Sequence, residues 1–216
     1  MNETFARLAG VKHEIILFSL LVVLFGPLFI STEITEIFHP LLFAQTIFAG
    51  IILFNDNKIL KNVFIVFLIL LLFLYALSFF SDAVELKAIP RGIYIICFIA
   101  ISYETYVQIY RAEQVSRAMI SAVFTGFILL CLIAGLYFTL IESITPNSFS
   151  NLGSLSEHYN NLSYFSFITT LTIGYGDIVP LTMHAKKATM LVGLIGNFYS
   201  VIVTGIVIGK YLNHKN

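Results

Sequence analysis

The chain has 216 residues, of which 58% are hydrophobic and 11% charged, with a formal net charge of +0. An average soluble domain carries about 25% charged residues, so a water-soluble enzyme, a secreted disulfide scaffold and a disordered tail are excluded. No basic block gives electrostatic support to nucleic-acid binding, and the composition is that of an all-α integral membrane protein embedded in a lipid bilayer.

A bilayer-spanning helix needs about 20 mostly apolar residues. Six spans are predicted in chain order: Ile15–Ile30, Ile37–Phe54, Val63–Phe80, Gly92–Tyr110, Ala118–Ile141 and Ala188–Tyr211. Arg7 and Lys12 precede the first, as in a signal peptide, but FISTEITEIF after it offers no small-residue cleavage site. The second is the weakest, with His39, Pro40 and Gln45 in or beside it. The fourth, GIYIICFIAISYETYVQIY, is bracketed by Arg91 and Arg111 and contains no basic residue. Glu104 is its only charge, expected in a salt bridge or snorkelling to the interface. Cys97 and Cys131 lie inside the fourth and fifth spans and read as inert buried thiols. Between the last two spans, about Asn160–Leu171 is half-apolar and too short to cross, so it is expected to be re-entrant.

Lys and Arg in the short loops set the orientation. With the N-terminus inside, Arg7, Lys12, Lys58, Lys61, Arg111, Arg117, Lys210 and Lys215 are cytoplasmic, against Lys87, Arg91, Lys186 and Lys187 outside. Both termini are therefore expected in the cytoplasm, as an even number of spans requires. The outer segments also hold Glu33, Glu36, Asp82, Glu85, Glu142, Glu157 and Asp177. These acids are either merely tolerated there or form a field that concentrates cations. No internal repeat supports a transporter built from repeated halves.

The informative stretch is Leu162–Pro180, LSYFSFITTLTIGYGDIVP. Non-helical backbone survives in a membrane only where protein buries it or where it lines a cavity. Gly174 and Gly176 flank Tyr175 and permit left-handed backbone angles. Such a strand can turn successive carbonyl oxygens to one side, and four copies around an axis would stack them into rings that replace a cation's water shell. Potassium-channel filters are the known case of this arrangement, with TVGYG as their sequence. On average composition, T-x-G-Y-G-D arises by chance in roughly one such chain in ten thousand.

Through these residues, about Ala118–Tyr211 resembles the potassium channels of the tetrameric, voltage-gated-like cation-channel superfamily, closest to bacterial six-helix members. The last span, VGLIGNFYSVIVTGIVIGKYL, also resembles the family's inner helix. The resemblance implies a homotetramer in the cell (inner) membrane, with residues 1–117 as a four-helix peripheral scaffold and 118–216 as the pore domain. It implies that the Thr172 carbonyl and hydroxyl and the Ile173, Gly174 and Tyr175 carbonyls bind K+, the permeant ligand, with no other cofactor. Gly176 lets the strand open outwards, and the Tyr175 ring points away from the pore towards the half-helix. Tyr164 and Phe165, which with Asp177 support the filter, stand where many members have two tryptophans, and this chain has no Trp. Ile168 stands where some members carry an acid that bonds the Asp177 position. The expectation is that both hydrogen-bonded supports behind the filter are missing.

The half-helix C-terminus near Thr169–Leu171 is expected to point its partial negative charge, about −0.5, at the membrane centre. Asn197, Ser200, Thr204 and Ile208 recur on one face of the last span, which the family register turns towards the pore. Gly196 stands at the family's hinge position, although close helix packing would equally account for it. The fourth span lacks the spaced arginines of a voltage sensor, so opening should depend weakly or not at all on voltage. His13, His39, His158, His184 and His214 never pair at metal-ligand spacing, and no nucleophile elbow, HExxH or phosphate loop occurs, so no enzyme is expected. A non-selective cation channel and a regulatory subunit of another channel are the alternatives.

Overall fold

The computed structural model describes residues 12–29, 32–54, 57–78, 84–155 and 157–213; Arg7, Asp82, His214 and Lys215, and the predicted span ends Ile30 and Phe80, lie outside them. Its helices are α1 (Lys12–Phe25), α2 (Thr32–Leu53), α3 (Lys58–Ser78), α4 (Val84–Arg111), α5 (Arg117–Ile144), α6 (His158–Thr170) and α7 (Met183–Asn213). No β-strand ladder forms among the described residues; Phe149 and Pro180 make one isolated antiparallel bridge.

Among the described residues, four stretches are long and apolar enough to cross a membrane: Lys58–Leu77, Ile89–Arg111, Arg117–Ile144 and Met183–Leu212. The first two predicted spans are not among these four. Pro27 follows Gly26, and α1 gives way there to a 3₁₀ turn, Gly26–Phe29, because proline cannot donate to the helical ladder. The 14 described residues of α1 cover about 21 Å at 1.5 Å per residue, and the residues before Lys12 lie outside the described ones. The 22-residue α2 is long enough; Glu33, Glu36 and His39 lie in its first half, and Pro40–Leu53 is apolar throughout most of its length.

The chain divides into two compact units. The first comprises residues 1–109 and 116–126. Its centre is built on Ile16, Leu20, Ile47, Phe64, Phe98 and Ile101, all at or below 2% exposure. Gly50 of α2 marks a close approach: a Cβ there would lie 2.9 Å from Ile101 Cδ1 and 3.0 Å from Phe64 Cε1. Polar bonds reinforce this packing, as they do between membrane helices. Ser19 and Thr46 hydroxyls share a bond of 2.9 Å, and the Tyr94 hydroxyl donates to the Pro40 carbonyl at 3.0 Å. Glu104, expected in a salt bridge or snorkelling, has a hydrogen-bond partner on its own helix. Its Oε1 accepts from Gln108 Nε2 at 2.7 Å, one turn along α4, the i, i+4 spacing at which helix side chains meet.

The second unit comprises residues 110–115 and 127–216. Phe138, Phe149 and Phe165 form its aromatic centre, with ring centroids 5.4, 5.4 and 5.6 Å apart. Ala134, Leu162, Ile168, Ile178, Ala188 and Val192 extend it. At the far end of α7, Lys210 Nζ donates to the Tyr110 carbonyl at 2.8 Å and to the Ala112 carbonyl. A lysine there satisfies acceptors that the end of α4 leaves open.

Candidate functional site

The half-helix α6 runs from His158 to Thr170, within two residues of the predicted stretch. Two glycines let it sit close to its neighbours. A Cβ on Gly135 of α5 would lie 3.0 Å from Ser163 Cα, and one on Gly196 of α7 would lie 2.5 Å from Thr170 Cγ2. Ser166 adds a cross-helix bond, its hydroxyl donating to the Cys131 carbonyl at 2.7 Å. Gly196 therefore sits at a close packing contact with α6, one of the two readings its position allowed.

The end of α6 determines the direction of the strand after it. Leu171 is the C-cap, and Thr172 follows with φ 58. The Thr172 amide donates to Thr169 O at 3.0 Å and the Ile173 amide to Ile168 O at 2.8 Å. These are the two bonds of a Schellman motif, whose left-handed position is usually glycine. A threonine in that conformation costs about 1–2 kcal/mol, strain of the kind that collects at functional sites. The expected free C-terminal carbonyls of the half-helix are thus partly consumed by the strand's own amides.

The left-handed conformation then alternates. Thr172, Gly174 and Gly176 have φ of 58, 61 and 78, whereas Ile173 and Tyr175 do not have positive φ. Alternating hands turn successive amides to one side of the strand. The Gly174 amide also points at Ile168 O, at 3.3 Å. A trans peptide carries its N–H and C=O on opposite sides, and no peptide here is cis. The Leu171, Thr172 and Ile173 carbonyls therefore face away from α6. The Thr172, Ile173, Gly174 and Tyr175 carbonyls receive no hydrogen bond from the described residues, and residues 172–177 are all exposed on this chain. Buried or membrane-embedded carbonyls need partners. A row of such oxygens on one side is a ligand set for a hard cation, which oxygen donors suit.

Residues 126–212 match the family model described as ion channel. They contain α6, the strand and nearly all of α7, so this membrane protein carries an ion-channel domain. No curated protein and no solved structure matches the chain significantly.

Within residues 126–212, the strand is anchored at its Asp177 end by bonds invisible to motif reading. The Tyr164 hydroxyl donates to Asp177 Oδ2 at 2.8 Å, and Asn151 Nδ2 donates to the Asp177 carbonyl at 2.7 Å. Ile168 supplies no acid to Asp177, and Tyr164, 13 residues earlier and on α6, makes a different link to it through its phenol. Phe165 is buried at 5% exposure against Phe138 and Phe149. Tyr175 keeps 71% exposure.

Two of the acids counted towards an outer field serve other purposes. Glu142 is 6% exposed and accepts the amides of Asn147, Ser148 and Phe149 at 2.7, 2.9 and 3.1 Å. Glu157, just before α6, accepts the Ser154 amide at 2.8 Å and its hydroxyl at 2.9 Å. Those bonds hold its carboxyl below the ordinary carboxylate range. On α7, Asn197, Ser200, Thr204 and Ile208 are all exposed on the single chain, while Gly196 is buried. Ser200 returns its hydroxyl to Gly196 O at 3.1 Å, a bond helices tolerate when a polar side chain lacks another partner.

Proposed function

We propose that four copies of this chain assemble around one axis into a potassium-selective channel of the cell (inner) membrane, with Thr172–Gly176 as its filter. The observation that carries this reading is the alternation of φ from Thr172 to Gly176, with the amides of Thr172, Ile173 and Gly174 turned back to α6. That geometry leaves carbonyls on the opposite side, where four strands would form rings able to replace a cation's hydration shell. Thr172, Ile173, Gly174 and Tyr175 supply the K+ ligands, and Gly176 ends the ladder. Asp177 and Tyr164 hold its outer end; Phe165 backs it from the core.

The exposed row Asn197, Ser200 and Thr204 lines a wet cavity below the filter, and Ile208 forms the constriction that gates by dewetting. All six apolar segments belong to the membrane, the first being α1 continued by its 3₁₀ turn, with both termini in the cytoplasm. The first four act as a scaffold, because α4 has no basic residue between Arg91 and Arg111.

Purified protein recorded in a planar bilayer under opposed potassium and sodium gradients tests the proposal. Unitary currents reversing near the potassium equilibrium potential are expected, from a species of tetrameric mass. Currents that ignore the potassium gradient would leave a non-selective pore, and a dimeric mass would end the four-fold filter.

A further inference from the structure

The loop between α5 and α6 is bent by residues of positive φ, Asn147, Asn151 and Gly153, and is tied down on both sides of its middle. Glu142 of α5 accepts the amides of Asn147, Ser148 and Phe149. Phe149 and Leu152 are buried in the core of the second unit, and Asn161 of α6 donates its Nδ2 to the Leu152 carbonyl at 2.9 Å. Between these anchors the loop runs antiparallel to the segment that follows the carbonyl strand. The Leu181 amide donates to Ser148 O at 2.7 Å and the Ser150 amide to Val179 O at 2.9 Å. The Ser150 hydroxyl accepts the Val179 amide at 2.9 Å. Asn151, exposed and with φ 55, closes the pairing by donating its Nδ2 to Asp177 O at 2.7 Å.

We propose that Asn151 is a positioning residue for the exit of the strand, a latch between the α5–α6 loop and the peptide that follows Asp177. Two properties of asparagine meet there. It adopts left-handed backbone more readily than most residues with a side chain, and its amide carries two donors. The fixed loop sets where the side chain starts, and the donor then fixes the Asp177 carbonyl. Asp177 is thereby held twice, at its carboxylate by Tyr164 and at its carbonyl by Asn151. Gly176, just before it, has φ 78 and nothing within 4 Å of where a Cβ would stand, so only its neighbours restrain it. Without the latch, water can satisfy the Asp177 carbonyl in any orientation, and the peptide is free to rotate. That rotation passes into Gly176, whose backbone offers little resistance. The consequence for conduction rests on the reading of Thr172–Gly176 as a potassium filter: the latch keeps the last carbonyls aimed and so lengthens the conducting state.

The test is hydrogen exchange of the Val179 and Leu181 amides in the full chain in lipid nanodiscs, with planar-bilayer recordings of the same proteins. Asn151→Gly keeps the freedom for positive φ and removes the donor. Asn151→Asp keeps the shape and the backbone tolerance and sets a carboxylate against the carbonyl. Protection should fall about fivefold in Asn151→Gly, the weight of one hydrogen bond, and at least as far in Asn151→Asp. Conducting bursts should shorten in both at unchanged unitary conductance and selectivity, a split that general loss of folding does not produce. Wild-type protection or wild-type bursts in Asn151→Gly overturn the proposal, because position 151 would then serve only as a turn. If neither variant assembles, the wild type decides: the Asn151 side-chain amide should exchange at least about fivefold slower than asparagine in an unstructured peptide, and an equal rate refutes the latch. Exchange needs no current, so a wild type that passes no potassium fails the pore reading while protection still judges the latch.

Discussion

The contact between Gly196 and Thr170 separates a packing glycine from a hinge, and a four-variant cycle measures it. A Cβ at position 196 would lie 2.5 Å from Thr170 Cγ2 and 3.3 Å from its Cα, whereas carbon atoms rest comfortably at about 3.5–4.0 Å. The threonine methyl would have to move by about 1 Å. It is not free to do so: Thr170 is 3% exposed, and its Oγ1 donates to the Ser166 carbonyl at 2.7 Å. Rotating the side chain forfeits that bond, about 1 kcal/mol, and overpacking adds about 1–3 kcal/mol. Gly196→Ala should therefore cost about 2–4 kcal/mol per chain. Thr170→Ser keeps the hydroxyl donor, removes Cγ2 and costs about 1 kcal/mol for the lost methyl. In that background Gly196→Ala should cost less than about 1 kcal/mol, since the remaining contacts start at the edge of tolerance. Denaturation midpoints of the four purified proteins in detergent give the coupling, expected at about 1.5–3 kcal/mol. A coupling below about 0.5 kcal/mol refutes the packing account. A hinge would instead make Gly196→Ala alter opening equally in both backgrounds.

Three further outcomes are expected. Gly174→Ala and Gly176→Ala meet no atom within 4 Å, so their cost is conformational, about 1–2 kcal/mol per chain at positive φ; potassium selectivity should be lost in bilayer recordings, with the melting temperature lowered by a few degrees. Tyr164→Phe removes the hydroxyl from Asp177 and leaves the ring, so conducting bursts should shorten at unchanged unitary conductance; bursts of wild-type length would show that the bond does not steady the strand. Ile208→Asn should raise the open probability by hydrating the constriction, and an unchanged value would move the gate away from Ile208.

The sequence was most legible where a single residue's solvation decides the outcome. A run of apolar residues prefers the bilayer whatever its neighbours do, so α3, α4, α5 and α7 follow from composition. The short α6 followed by two glycines is likewise legible from the chain itself. At α1, Gly26–Pro27 ends the α-helix inside an apolar run, and the first half of α2 carries acids, so composition alone leaves these two segments less sharply defined.

The site needed more than one-dimensional pattern because its bonds join distant residues. The glycines of TIGYGD reveal two left-handed positions, but Thr172 takes a third that its side chain resists. Only the Schellman bonds of Ile173 and Thr172 to the end of α6 account for it. Tyr164 and Asp177 lie 13 residues apart, and Ser166 and Cys131 lie 35 apart; no periodicity brings either pair together. Glu142 counted as one outer charge among several until the turn 147–149 folded onto its carboxylate. Gly196 could have been hinge or contact, and the pore helix at its surface makes it a contact. The sequence by itself determined which segments enter the membrane and where the carbonyl strand lies, because burial of apolar side chains and glycine's freedom are local properties. Tertiary structure alone decided how that strand is aimed and held, because a hydrogen bond exists only once both of its partners have been placed.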